Sequence, residues 1–350
     1  MRALGHATAD PTLAGCGSTL REAAMKLRCT VLGIALVAVL AVPPIAGAQH
    51  AGKVTRIGIL SGGAPGSRGV QVLLEALRDV GLVEGRGAVF DIRYTEGRTE
   101  RFPAFAAELV NLRVDILIAA STPGAMAAKQ ATSTIPVVMV AVSDPVGSQL
   151  VASLARPGGN ITGLSLLAPA LSAKRLDLLK QALPPVSRVA VLWNVSNEGM
   201  MLRFRETETA ARSLGVTLES VGVRTPDDFT DAFARMTKGR PEALLVLADT
   251  VTIGQSESIV QFAEANRIPA IYEQKSFVDA GGLMAYGIDM WDQYRRVAFY
   301  VDRILKGAKP ADLPVEQPSK FEFVINLKTA KTLGVTIPAS VLTRADQVVE

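Results

Sequence analysis

Short apolar runs alternate with amphipathic stretches along the chain from Arg56 onward. RIGILS (56–61) has the apolar character of a strand, whereas GVQVLLEALRDVG (69–81) carries its apolar residues at helical spacing. The alternation continues through AVFDIRY, ERFPAFAAELVNL, DILIAA, PGAMAAKQAT and IPVVMVAV. Near-continuous apolar strands joined by helices predict a parallel sheet that is buried on both faces.

A single interruption divides this pattern into two halves. A proline and two glycines in ARPGGNITGLSL (155–166) predict a loop, after which the alternation restarts at AKRLDLLKQALP. The pattern therefore predicts an α/β protein of two Rossmann-like lobes with parallel sheets, separated by a cleft and joined by chain crossings. We expect the first lobe to comprise 53–166 and about 290–316, and the second to comprise 167–289 and about 317–350.

Residues 1–48 have a different character. MKLR (25–28) is short and basic, an apolar run of about 14 residues follows, and AGAQ (46–49) ends the segment with small residues. These features predict an N-terminal extension and a secretory signal peptide cleaved near Ala48–Gln49, with Met25 as an alternative start. A retained anchor is the competing interpretation, although the run is shorter than the roughly 20 residues that span a bilayer.

Removal of this segment changes which chemistry the chain can perform. Both cysteines, Cys16 and Cys29, leave with His6, so the remaining chain has no cysteine and only His50. Disulfides, thiolate nucleophiles, Ser-His-Asp triads and His/Cys zinc sites are then excluded, and we expect no metal and no cofactor. The net charge falls from +4 to +2, without a basic block, so nucleic acid is not an expected partner.

Polar residues follow most of the predicted strands. Ligands bind beyond the carboxyl ends of the strands in open parallel sheets, so these positions are the candidate ligand-binding residues. They are Ser61, Gly62, Gly63, Ser121, Thr122, Ser143, Asp144, Asn194, Asp249, Tyr272, Glu273, Tyr286 and Asp289.

Several of these loops have more than one interpretation. SGGAPGSRG (61–69) lacks the G-x-G-x-x-G spacing of a dinucleotide site and fits a flexible turn with accessible N–H groups better. Ser121 and Thr122 suit either a helix N-cap or an anion site. Asp144 could cap an expected helix or meet a ligand cation, and Asp249 occupies the equivalent place in the second lobe.

Other interpretations concern paired carboxylates and tryptophans. Two carboxylates in one cleft also fit glycoside hydrolysis or a metal site, although no D-x-D-x-D-G calcium loop is present. Trp193 ends an apolar run and is expected in the core. Trp291 could reach the mouth of the cleft, but packing is the commoner role for an aromatic residue at the end of an element.

One segment carries a family resemblance. IPVVMVAVSDPVGSQLVASLARPGGNITGLS (135–165), with RIGILSGG, EALRDVGLVEGR, GGLMAYGID and FEFVINLKTAKTLG, resembles the ABC-transporter substrate-binding proteins named for their tryptophan importers. The resemblance covers about residues 54–348 and implies the type I periplasmic binding protein fold, whose two lobes close about a hinge. The candidate loops match the cleft loops of that family. Ser143 stands where many relatives have threonine, and it keeps the hydroxyl.

The resemblance and the residues together predict a periplasmic solute-binding component of an ABC importer, without catalytic activity. It would capture a small ligand, either an amino acid or an aromatic or carboxylate compound, between its lobes. It would then deliver this ligand to an ABC permease in the inner membrane. A monomer is expected. The alternatives are a secreted hydrolase that uses carboxylates and the ligand-sensing module of a receptor.

Overall fold

The computed structural model describes residues 54–166 and 168–350. The predicted signal peptide, its cleavage site and the alternative start at Met25 lie outside these residues. Within the described part of the chain, no helix is both long enough and apolar enough to cross a membrane.

The first sheet has five parallel strands in the order β2-β1-β3-β4-β5. These strands are β1 (Thr55–Ser61), β2 (Ala88–Tyr94), β3 (Ile116–Ala120), β4 (Val137–Val142) and β5 (Ile161–Ser165). The helices that connect them are α1 (Arg68–Asp79), α2 (Phe102–Asn111) and α3 (Ser121–Ala131), with a 3-10 turn at Thr99–Arg101. All five residues of β3 are buried, as expected for a central strand that is covered on both faces.

The second sheet has seven strands in the order β12-β11-β10-β9-β8-β6-β7, with β10 and β11 antiparallel and the other neighbours parallel. Its strands are β6 (Arg188–Asn194), β7 (Thr217–Val223), β8 (Ala243–Val246), β9 (Ala270–Tyr272), β10 (Met284–Ile288), β11 (Phe321–Asn326) and β12 (Gln347–Val349). Its helices are α4 (Ala168–Ala182), α5 (Glu198–Leu214), α6 (Phe229–Gly239), α7 (Thr250–Ile253), α8 (Ser256–Ala265), α9 (Lys275–Asp279), α11 (Leu327–Leu333) and α12 (Ala339–Leu342), while α10 is Met290–Leu305. Further 3-10 turns lie at Pro226–Asp228 and Pro310–Asp312.

The chain crosses between the two sheets three times. The crossings follow β5, follow β10 and precede β11. Between the second and third crossings, α10 packs on the first sheet, where Val297 and Tyr300 join a core cluster with Ile57 and Leu73. Glu316 pairs with β5, because its N–H donates to the Gly163 carbonyl at 3.0 Å. Three short crossings between two sheets form the kind of hinge that permits lobe closure.

Each sheet is covered on both faces, so the chain contains two α/β sandwiches. Helices α1 and α10 cover one face of the first sheet, and α2 and α3 cover the other. In the second sheet, α4, α5, α11 and α12 lie opposite α6, α8 and α9. The apolar runs of the sequence thus become strands whose side chains are removed from water on both sides, and this burial is the main stabilising term of the fold.

The segment after β4 differs from the sequence expectation of a helix. Residues 145–149 form consecutive turns, in which Ser148 N–H donates to the Asp144 carbonyl at 3.0 Å and Gln149 N–H donates to Val146 at 2.9 Å. Pro145 has no N–H to donate, and Gln149 has a positive φ of 56°, so the helical hydrogen-bond ladder does not propagate.

Candidate functional site

A cavity lies between the lobes, at the carboxyl ends of strands from both sheets. It encloses about 750 Å³ of space not filled by protein, open solvent at its mouth included. The first lobe contributes Ser61, Gly62, Gly63, Ser67, Gly69, Ala120, Ser121, Thr122, Ala141, Ser143 and Leu166. The second contributes Asn197, Met200, Arg203, Ala248, Asp249, Thr250, Ile253 and Gln274, and α10 with its first turn adds Met290, Trp291 and Tyr294.

The wall of the first lobe is rich in hydroxyl groups. Ser61, Ser121, Thr122 and Ser143 are all buried and all lie at strand ends. Thr122 Oγ1 accepts a hydrogen bond from Ser143 N–H at 3.2 Å, which joins the ends of β3 and β4. Helix α3 begins at Ser121, so the positive end of its dipole lies at this wall, and Ser121 Oγ accepts from Gly124 N–H of the first turn at 3.5 Å. This part of the cavity is suited to a negatively charged ligand group.

Backbone strain is concentrated at the same wall. Ser121 has a φ of 70° and Ala141 a φ of 60°, a conformation that non-glycine residues rarely adopt. Ala141 lies where the register of β4 against β5 shifts between Met139 and Val142. Strain of about 1–3 kcal/mol per residue persists where the surrounding structure over-determines the conformation, and such residues cluster at ligand sites.

Asp249 forms the centre of a hydrogen-bonded network on the opposite wall. Its Oδ2 accepts from Asn194 Nδ2 at 2.6 Å and from Asn197 Nδ2 at 3.2 Å. Its Oδ1 accepts from the N–H groups of Val251 at 3.0 Å and Thr252 at 3.2 Å, which caps α7. Burial raises the pKa of Asp249 above its ordinary value, and this desolvation outweighs the opposing effect of the four donors.

A buried cluster of two arginines and one glutamate lies beside Asp249. Arg203 Nη1 donates to Glu273 Oε2 at 2.5 Å, and Arg175 Nη1 donates to Glu273 Oε1 at 2.6 Å. All three side chains are at most 4% exposed. Desolvation lowers the pKa of Arg175 to about 10, partly offset by the charge of Glu273. Of the three, Arg203 lines the cavity.

The remaining wall is aromatic and apolar. Trp291 and Tyr294 lie on α10, with Met290 beside them, and Met200 and Ile253 lie on the second lobe. Burial raises the pKa of the Tyr294 phenol to about 12, so the ring is uncharged at neutral pH. A flat apolar ligand group would find aromatic contacts here, opposite the polar strand ends.

The two lobes are in direct contact around the cavity. A β-carbon on Gly199 would lie 2.6 Å from Ser143 Oγ and 2.8 Å from Thr122 Oγ1, so only glycine permits this approach of α5 to the first lobe. At the rim, Arg98 Nη2 lies 3.1 Å from Asp227 Oδ2 and pairs the two lobes. The structure therefore represents a closed arrangement.

Seven of the thirteen residues predicted from strand ends line the cavity. They are Ser61, Gly62, Gly63, Ser121, Thr122, Ser143 and Asp249. The hydroxyl-bearing strand ends of the first lobe and Asp249 of the second are thus brought together, as the topology of parallel sheets requires.

Asp144 and Asp289 do not line the cavity. Asp144 Oδ1 accepts from the N–H groups of Val146 at 3.1 Å and Gly147 at 2.8 Å, so the carboxylate caps its own turn. Asp289 Oδ1 accepts from Asp292 N–H at 3.0 Å and caps α10, while Arg295 lies 3.6 Å from its other oxygen. Both carboxylates thus have local partners, and Asp144 borders a separate pocket between the lobes, which Thr122 and Glu198 also line.

The other four predicted residues lie behind the cavity wall. Tyr272 is 1% exposed and stacks on Phe277 in the core of the second lobe. Tyr286 packs edge-on against Phe323, and its carbonyl accepts from Arg175 Nε at 2.6 Å. Asn194 and Glu273 are buried and contact the cavity only through Asp249 and Arg203. Successive side chains of a strand point to opposite faces, so position at a strand end does not decide which residues face the cleft.

Arg203 is not among the residues that strand ends predict, because it lies on α5 and not at the end of a strand. It nevertheless shares a helical stripe with Met200, Thr207 and Ala211, all buried. A charged residue on a buried stripe needs a partner, and that requirement was the available signal. Of the tryptophans, Trp193 stacks on Phe204 in the core as expected, whereas Trp291 lines the cavity.

The described residues do not form a metal centre. Within residues 54–166 and 168–350, no group of three or more His, Cys, Asp or Glu side chains is arranged to hold a metal ion. The arrangement of the described cavity is that of a binding site with hydroxyls, N–H groups, one cation and an aromatic wall.

Comparison with known proteins agrees with this architecture. Residues 57–349 match the family model of ABC transporter substrate binding proteins. A tyrosine-binding protein from Clostridioides difficile (strain R20291) is 29% identical over 261 residues, 74% of this chain and 74% of that protein. The structure of the ABC domain in complex with L-Trp from Streptococcus pneumonia is 29% identical, with a TM-score of 0.76 over 85% of this chain and 100% of that one.

A second solved structure bears on the lobe arrangement. The ligand-free, open structure of a substrate-binding protein with adhesive properties from Clostridium difficile is 25% identical over 85% of this chain and 99% of that one, yet its TM-score is 0.59. Rotation of one lobe lowers a global superposition score without changing either lobe. The difference between 0.76 and 0.59 therefore agrees with the closed arrangement that the contacts show.

The fold is that of the type I periplasmic binding proteins, as the resemblance predicted. The matching family consists of substrate-binding proteins, not enzymes, and the match covers nearly all of the described chain. The chain belongs to the family of ABC transporter substrate-binding proteins.

Proposed function

We propose that this protein captures an aromatic amino acid or a closely related aromatic carboxylate for an ABC importer. One observation carries the proposal: a single closed cavity combines an anion-attracting wall with an aromatic wall. The first wall is the hydroxyl-rich start of α3 with Arg203 opposite, and the second is Trp291 with Tyr294. The tyrosine-binding relative and the L-Trp complex support this ligand class.

The proposed contacts divide between the lobes. Ser61–Gly63, Ser121, Thr122 and Ser143 present hydroxyl and N–H donors from the first lobe, while Asp249 orders the wall of the second. Trp291 and Tyr294 would pack on the ligand ring. We do not retain Asp144, Tyr272, Tyr286 or Asp289 as ligand contacts, since their side chains cap local turns or pack away from the cavity.

The wider role follows from the family. We propose that the closed, ligand-bound protein is recognised in the periplasm by a membrane permease, to which it delivers the ligand as a monomer. Closure alters the relative position of the two lobe surfaces, and this difference is what a partner can read.

A thermal-shift screen tests the proposal. L-Trp, L-Tyr, L-Phe and aromatic carboxylic acids should raise the melting temperature, because a ligand at 100 times its Kd adds about 2.7 kcal/mol to the free energy of unfolding. Sugars and aliphatic amines should have no effect. Stabilisation by a sugar alone, or conversion of the ligand to a product, would contradict the proposal. Trp291→Ala should abolish the shift for aromatic ligands, and Trp193→Phe, a core change, should not.

A further inference from the structure

Arg203 is buried, fixed in place and incompletely hydrogen-bonded. It is 2% exposed, and its Nη1 donates to Glu273 Oε2 at 2.5 Å and to the Ala248 carbonyl at 3.3 Å. Its Nε–H is excluded from solvent and has no acceptor in the protein. A buried guanidinium group with an unsatisfied N–H is costly, and a ligand anion beside the part of Arg203 that lines the cavity would offset some of that cost.

The buried cluster of Arg175, Arg203 and Glu273 contains two cations and one anion, and so carries one positive charge in excess. Glu273 is shared between Arg203 and Arg175, so a single carboxylate serves two guanidinium groups. Of the described residues that line the cavity, the charged ones are Arg203 and Asp249. The Arg175–Glu273 pair is balanced by itself, and Arg203 is the member that faces the cavity.

Asp249 is not available as a partner for a ligand cation. A carboxylate has about four lone-pair positions, and Asp249 accepts from Asn194, Asn197 and the N–H groups of Val251 and Thr252. An ammonium group of a ligand would have to displace one of these donors. Recognition of an ammonium group requires a carboxylate with free acceptor positions, and those of Asp249 are already used by donors of the protein itself.

The start of α3 lies on the opposite wall of the same cavity. Its first residues, Ser121 and Thr122, are buried, and the helix is 11 residues long. The positive end of its dipole and the Arg203 guanidinium thus act on one ligand anion from two sides. Each element is fixed within its own lobe, which reduces the entropic cost of recognition.

We propose that Arg203 binds the carboxylate of the ligand through the part of its guanidinium group that lines the cavity, and that the ligand is selected as an aromatic carboxylic acid whose amino group adds little. The inference rests on the proposed function and specifies the polar half of its ligand. Glu273 and Arg175 are positioning residues, because they hold the guanidinium and do not line the cavity.

Titration calorimetry of the full-length wild-type protein with three related compounds tests the ligand side. L-tryptophan and 3-(indol-3-yl)propionate should bind within about tenfold of each other, and tryptamine, which lacks the carboxylate, should bind at least about a hundredfold more weakly. Equal binding of tryptamine and the propionate would overturn the inference alone. No binding of these compounds or of the tyrosine and phenylalanine equivalents would overturn the proposed function.

Arg203→Gln tests the protein side. The variant should lose about a hundredfold in affinity for the propionate and leave the weak binding of tryptamine unchanged. Its fold should persist, because Glu273 keeps Arg175 as a partner, and thermal unfolding verifies this. Arg205→Gln, an exposed arginine on the same helix, is the matched control and should bind as the wild type does. Wild-type affinity for the propionate in Arg203→Gln would overturn the inference. If this variant does not fold, the comparison of the three compounds on the wild-type protein still tests the inference.

Discussion

Gly62 of the first lobe and Thr250 of the second approach each other so closely that a side chain on Gly62 has no space. A β-carbon there would lie 2.6 Å from Thr250 Cβ and closer still to Thr250 Cγ2. Gly62 directly follows β1, Thr250 is the first residue of α7, and both line the cavity between the sheets. Their contact exists only while the lobes are closed, so closure requires a glycine at position 62.

Gly62→Ala should therefore prevent full closure. We expect ligand affinity to fall by about a hundredfold, with little change in the free energy of unfolding of each lobe, because the clash arises between lobes. Small-angle scattering in saturating ligand should give a larger radius of gyration than that of the wild type. Gly159→Ala is the control, since nothing lies within 4 Å of its β-carbon position.

The pair Gly62→Ala and Thr250→Gly provides the reciprocal test. Removal of the Thr250 side chain should restore closure to the Gly62→Ala protein, because it removes the atoms that the new methyl group meets. Normal affinity in Gly62→Ala alone would show that the contact does not limit closure.

Glu273→Gln should destabilise the protein strongly. The substitution leaves Arg175 and Arg203 buried without an anion, and removal of one member of a buried ion pair costs about 3–5 kcal/mol. Urea denaturation should give this loss in the free energy of unfolding. Glu75→Gln breaks the exposed pair with Arg68 and should change it by no more than about 0.5 kcal/mol. Equal losses in the free energy of unfolding for Glu273→Gln and Glu75→Gln would show that Glu273 does not stabilise the two buried arginines.

Asp144→Ala should affect stability and leave ligand affinity unchanged. The carboxylate accepts two N–H groups of its own turn and does not line the cavity, so its loss should cost about 1 kcal/mol. Asp144→Asn keeps an acceptor oxygen at the same position and should recover most of that loss. A tenfold fall in affinity for the alanine variant, with unchanged stability, would make Asp144 a ligand contact.

Asp249 should impose a pH dependence on stability. Its pKa is raised from an ordinary value of 3.8, so between that pH and its folded pKa the folded state holds a proton that the unfolded state has released. The contribution of Asp249 to the free energy of unfolding therefore falls as pH rises through this window. Urea denaturation at a series of pH values gives the free energy of unfolding of the wild type and of Asp249→Asn. The wild-type value minus the variant value should decrease over this window and stay constant above it. A difference that increases with pH would mean that folding lowers the pKa of Asp249, which would contradict the prediction. Asp79→Asn, at an exposed position, is the control.

The sequence predicts the sheets well because burial on both faces requires continuous apolar runs. RIGILS (56–61) becomes β1 at Thr55–Ser61, and the predicted helix at 69–81 becomes α1 at Arg68–Asp79. The candidate site is predicted less well. Ser121 and Ser143 face the cavity, whereas Tyr272 turns into the core, because the direction of each side chain depends on local register.

The polar centre of the site is the part that strand ends do not reveal. Arg203 and Glu273 are 70 positions apart in the sequence and meet only because α5 packs beside the end of β9. The turn after Asp144 shows the same limit on a smaller scale. VSDPVGS supplies a cap for either a helix or a turn, and the following backbone decides which one forms.

Mass spectrometry of the small molecule released from protein purified without dialysis tests the central claim most directly. We expect about one molar equivalent of an aromatic carboxylic acid, with or without an amino group, because Arg203 and the aromatic side chains of Trp291 and Tyr294 line the same cavity. Arg203→Gln, purified in parallel, should carry much less of the same compound. Recovery of a sugar, or of an amine without a carboxylate, at one equivalent would contradict the account.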